Sequence, residues 1–107
     1  MKHPQLTEIL TDLRSALEQE YGTRLIKLIL FGSQSRGDAQ SDSDIDVLVV
    51  LDGPVDDINE IKRTSQILSD LCLQYAALVS CVFTSTEQME NAGTGFFRNV
   101  SREGIPV

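Results

Sequence analysis

Histidine, cysteine and basic residues are scarce in this 107-residue chain, and no apolar run is long. The single histidine, His3, lies far from Cys72 and Cys81, so no histidine–cysteine cluster at metal-ligand spacing exists. Both cysteines fall inside apolar segments, which reads as two buried thiols in a reducing cytoplasm rather than a disulfide. Nine Lys and Arg face sixteen Asp and Glu, for a net charge of −7. That balance argues against direct binding to nucleic acid, which relies on a basic footprint. It suits a basic protein partner, or solubility alone. No stretch approaches the roughly 20 apolar residues of a membrane span, and "MKHPQLTEIL" has no signal-peptide core. Repeats, low-complexity tracts and linkers are missing, so residues 1–107 read as one domain.

What is present is an alternation of helical and strand patterns. Leu6, Ile9, Leu10, Leu13, Ala16 and Leu17 recur at helical spacing between Pro4 and Gly22. "RLIKLILF" (24–31) predicts a strand, and "DIDVLVVL" (44–51) a second, apolar on both faces after its acids and therefore central. "DGP" (52–54) is a turn. A helix is expected over 56–76, with Ile58, Ile61, Leu68, Leu71, Cys72 and Tyr75 as its inner stripe. "ALVSCVF" (77–83) predicts a third strand. Ser85 or Thr86 then caps a short helix over 87–90. "NAGTG" is a loop, "FFRNVSREG" (96–104) a final helix, and "IPV" a tail. The expected class is α/β (α+β), a small mixed sheet with flanking helices.

The chemistry concentrates in "LFGSQSRGDAQSDSDIDVLVV", residues 30–50. Side chains alternate along a strand, so Asp44 and Asp46 share a face. Two carboxylates so close repel, and burial raises the cost of charging them. A divalent cation resolves both problems; Mg²⁺ typically takes one or two carboxylates plus substrate phosphates. Gly32 and Ser33 stand at the exit of the preceding strand, where glycine permits close approach of the backbone and a turn starting at Ser33 aims N–H groups outward. Read singly, Ser33 is a turn cap, and Asp42 and Asp44 are loop-end caps. Read together, the two halves make a site for a triphosphate with Mg²⁺.

"GSQSRGDAQSDSDID" resembles the Gly-Ser, ten residues, Asp-x-Asp signature of the polymerase-beta-like nucleotidyltransferases. With its small size, initial helix and ending "FFRNVSREGI", the chain is similar to the minimal nucleotidyltransferase (MNT) antitoxins encoded beside HEPN ribonuclease toxins. The resemblance implies a polymerase-beta-like core and transfer of AMP from ATP to a tyrosine of a HEPN partner, within a cytoplasmic hetero-oligomeric complex. Asp44 and Asp46 would hold Mg²⁺ and align the α-phosphate for in-line attack. Gly32 and Ser33 would hold the terminal phosphates. Arg36 is either a phosphate ligand or a solvated residue, and Arg98 and Arg102 read as a surface pair.

One part of the pattern is missing. Active members of that superfamily usually carry a third carboxylate on a neighbouring strand to activate the attacking hydroxyl. The corresponding segment, "ALVSCVF", has no acid, and Ser80 stands about where it would fall. Serine is no general base. An antitoxin that neutralises its toxin by complex formation alone, with a vestigial nucleotide site, is therefore the alternative reading. A small-molecule nucleotidyltransferase is a third, although no helical domain remains to shape its pocket.

Overall fold

The computed structural model describes residues 5–32, 44–90 and 95–107. Its elements are α1 (Leu6–Tyr21), a 3₁₀ turn (Gly22–Arg24), β1 (Leu25–Phe31), β2 (Ile45–Leu51), α2 (Asp57–Tyr75), β3 (Val79–Ser85), α3 (Thr86–Glu90), α4 (Gly95–Glu103) and β4 (Ile105–Pro106). The four strands form one sheet in the order β3-β2-β1-β4. β1 runs antiparallel to both β2 and β4, whereas β2 and β3 are parallel. The expected mixed α+β architecture is therefore present.

β2 forms the centre. Ile45 and Val47 through Leu51 are fully buried, because both faces of this strand are covered. On one face, Ile45, Val47, Val49 and Leu51 meet Leu28 and Leu30 of β1 and the Ile9–Leu13–Leu17 stripe of α1. On the other, Leu48 and Val50 meet Ile29 of β1 and Val100 of α4. Period two in the strands and period 3.6 in α1 thus select the same core.

α2 is fastened at its start by reciprocal capping. Asp56 Oδ1 accepts from the Asn59 N–H (3.3 Å), and Glu60 Oε2 accepts from the Asp56 N–H (3.2 Å). Glu60 is buried, and its Oε1 accepts from the Tyr21 hydroxyl at 3.1 Å. Burial and this carboxylate push the Tyr21 phenol well above its ordinary pKa. The arrangement corrects the expected inner stripe. Ile58 and Ile61 are 68% and 56% exposed, while Glu60, Thr64 and Leu71 turn inward. The first turn of α2 is oriented by its cap and its bond to α1, which outweigh two isoleucines. At the other end Ala76 adopts a left-handed conformation (φ 49°), and its successor's N–H returns to the Cys72 carbonyl.

Boundaries also differ: β1 and β2 each begin one residue later than expected, so Asp44 precedes β2, and the last helix is Gly95–Glu103 where the pattern suggests 96–104. β3 lies two residues later than "ALVSCVF" suggests, since Ala77 and Leu78 complete the connection from α2. The strand then runs through Thr84 and Ser85, which pair with Val50 and Leu51. Ser85 Oγ accepts from the Gln88 N–H at 3.0 Å, so Ser85 is the residue that caps α3. The "IPV" tail is partly strand: β4 pairs with β1 through Ile105 and Pro106, and the Val107 N–H donates to the Leu28 carbonyl (2.9 Å). Gly104 permits that return, because a Cβ there would lie 2.3 Å from Ile29 Cγ2 and 2.4 Å from the Val100 carbonyl. Cys72 and Cys81 are free, half-buried thiols. Among the described residues no helix is long and apolar enough to cross a membrane.

Candidate active site

The site is assembled where β1 ends and β2 begins. Phe31 is the register partner of Asp46, so Gly32 leaves β1 beside that carboxylate. Gly32 takes φ +77°, a region that disfavours side chains. A Cβ on Gly32 would lie 2.9 Å from Asp46 Oδ2, closer than real contacts of that kind. Glycine is thus required twice, once for the turn and once for room beside Asp46.

Asp44 stands exposed immediately before β2, and Asp46 is half-buried on the strand. Asp46 lies on the face opposite Ile45 and Val47, at the end of the layer containing Leu48 and Val50, and Asp44 is near enough for its charge to act on it. Burial, followed by the neighbouring Asp44 charge, raises the Asp46 pKa above its ordinary value. The carboxylate is therefore desolvated and crowded by negative charge, and a cation would relieve both effects. Among the described residues no group of three His, Cys, Asp or Glu side chains converges as a metal cage. Two carboxylates without a cage fit an ion that completes its shell with water and phosphate oxygens, the habit of Mg²⁺.

Ser80 of β3 is the parallel register partner of Asp46 and shares its face. The neighbouring position on the outer strand is therefore a hydroxyl and not an acid. Asp70 is on α2, and Glu87 follows β3 on α3; neither belongs to this row. Of the residues singled out from sequence, Gly32, Asp44 and Asp46 come together. Ser33 and Arg36 lie outside the described residues. Arg98 and Arg102 are exposed on α4, as a surface pair would be. Sequence reasoning missed the Gly32–Asp46 contact. Its signal was the placement of a glycine at the strand exit, but the register that sets it opposite Asp46 is a property of the sheet.

The chain is similar to known proteins in sequence and in fold. Residues 10–91 match the family model described as "Nucleotidyltransferase domain". "Putative protein adenylyltransferase MJ0604" of Methanocaldococcus jannaschii is 35% identical over 91 residues, covering 84% of this chain and 85% of that protein. The solved structure of a "putative minimal nucleotidyltransferase" superposes with a TM-score of 0.68 at 21% identity, covering 100% of this chain and 97% of the other. A structure of tri-AMPylated Shewanella oneidensis HEPN toxin in complex with MNT antitoxin matches with a TM-score of 0.54 at 19% identity, over 92% of this chain and 70% of that one. The chain belongs to the nucleotidyltransferase-domain family.

Proposed function

We propose that this protein, acting as a single domain over residues 1–107, is an MNT antitoxin that transfers AMP from Mg-ATP to a tyrosine of a HEPN ribonuclease toxin in the cytoplasm. The observation that carries the proposal is half-buried Asp46, with exposed Asp44 two residues before it and Gly32 keeping room open beside its carboxylate at the strand exit. Asp44 and Asp46 are the residues that would hold Mg²⁺. Bound there, the metal supplies charge neutralisation and alignment of the α-phosphate for in-line displacement of pyrophosphate. Gly32 and Ser33 offer the backbone approach for the terminal phosphates, with Arg36 as a further phosphate contact. The 35% identical relative, named "Putative protein adenylyltransferase MJ0604", favours a protein acceptor over a small molecule. AMP added near a ribonuclease centre would bring bulk and negative charge, which disfavours RNA phosphate.

Ser80 supports one second reading. With a hydroxyl in register with Asp46, this row provides no general base, and an antitoxin acting by complex formation alone fits that feature. Incubating the protein with the HEPN protein encoded beside it, Mg²⁺ and ATP, and then recording intact masses, separates the two. Added AMP on the partner, abolished by Asp44→Ala, supports transfer. An unmodified but inactive toxin in a stable complex refutes transfer and leaves blockade.

A further inference from the structure

β3 is an outer strand, and among the described residues no strand pairs with its other edge. Residues 76–86, "AALVSCVFTST", carry no charge in a chain of net charge −7. The β2–β3 ladder runs from Ile45–Val79 to Leu51–Ser85 without a register shift, so no bulge turns the edge away. The strand also lacks Pro and Lys, the devices that commonly protect an exposed edge.

The backbone directions follow from one bond. The Ile45 N–H donates to the Leu78 carbonyl at 2.8 Å. In a parallel ladder the groups of Leu78, Ser80, Val82 and Thr84 then face β2, and those of Val79, Cys81, Phe83 and Ser85 face outward. The two outer N–H groups of this set are already engaged: Val79 donates to Cys72 Sγ (3.4 Å) and Ser85 to Gln88 Oε1 (3.4 Å). Among the described residues Cys81 and Phe83 between them have no such partner, leaving a short window of paired donors and acceptors.

We propose that this window binds a second copy of this chain, with the two β3 strands antiparallel and the twofold axis passing through Val82. In that register Cys81 of one copy exchanges both backbone bonds with Phe83 of the other, and the reverse, giving four intermolecular bonds. Val82 meets its own counterpart across the axis as a non-hydrogen-bonded pair, and Ser80 faces Thr84. Val82 and Leu78, 40% and 55% exposed on that face, become covered. The strand is nearly symmetric about Val82, with a hydroxyl residue two positions to either side. It also brings no acid opposite another acid, which self-association elsewhere on so acidic a surface would do. The resulting eight-stranded sheet sets the Asp46–Ser80 rows of both copies on one continuous face.

Sedimentation and light scattering of the purified protein, without nucleotide, test this independently of the transfer reaction. The expected species at high concentration has about twice the 11.8 kDa chain mass. Val82→Lys and Val82→Glu should each raise the dissociation constant by at least about tenfold through facing like charges, while a mixture of the two restores the dimer. Amide exchange at Cys81 and Phe83 should slow as wild-type concentration rises. A wild-type protein that stays monomeric overturns the proposal, as does a folded Val82→Lys protein that dimerises like wild type. Exchange at those two amides that ignores concentration overturns it too.

Discussion

Replacing Gly32 by Ala tests the geometry of the site directly. Two costs can be worked out separately. Placing a β-carbon at φ +77° costs about 1–2 kcal/mol whatever the surroundings. The new methyl also meets Asp46 Oδ2 at 2.9 Å, so the carboxylate must retreat about half an ångström to reach ordinary contact. Gly53 provides the control: it has φ +86°, yet a Cβ there meets nothing within 4 Å. Gly53→Ala should therefore lower the melting temperature by roughly 4–8 °C per kcal/mol of backbone cost and leave the site intact. Gly32→Ala should show a similar loss and, in addition, weaken Mg-ATP binding and slow AMP transfer by about tenfold or more, because catalytic groups tolerate only about 0.5 Å of displacement. Thermal unfolding with and without Mg-ATP reads both effects, since ligand-induced stabilisation reports affinity. Equal behaviour of the two variants in both measurements would refute the role assigned to the Gly32–Asp46 contact.

Asp46 has a raised pKa in the folded chain, from burial and then from Asp44, so its ionisation works against folding. Above the ordinary carboxylate pKa the unfolded state has released that proton more readily, and stability falls as pH rises through the window between the two values. Asp46→Asn should therefore stabilise the metal-free protein near neutral pH in urea titrations, with the gain shrinking towards pH about 4; an unchanged or lowered midpoint contradicts this. Ser80→Asp places a carboxylate in register with Asp46 and should raise the initial rate of AMP transfer by about a hundredfold if a base is the missing element, followed by intact-mass time courses. No increase in a folded variant would mean that the acceptor's proton is removed in another way. Tyr21→Phe leaves buried Glu60 without the hydroxyl donated at 3.1 Å and should cost about 1–3 kcal/mol in chemical denaturation. A cost well under 0.5 kcal/mol would show that Glu60 is held sufficiently by its other contacts.

The local code carried much of this protein. Apolar spacing located α1, because Leu6, Ile9, Leu13 and Leu17 have a period that only a helix can bury. The unbroken run after Asp46 located β2 and its central place, since a strand apolar on both sides needs cover on both. The acid spacing kept Asp44 close to Asp46 by covalent geometry alone. Non-local pairing decided the rest. Whether Ile58 or Glu60 turns inward depended on a tyrosine 39 residues earlier, which no helical period within α2 encodes. "IPV" is two-residue strand only because β1 left an edge and Gly104 let the chain reach it. The contact of Gly32 with Asp46, and the alignment of Ser80 beside Asp46, required strand register. Register is set by how whole strands bury their faces against each other, and a shift of one residue would have sent every one of those side chains to the opposite face.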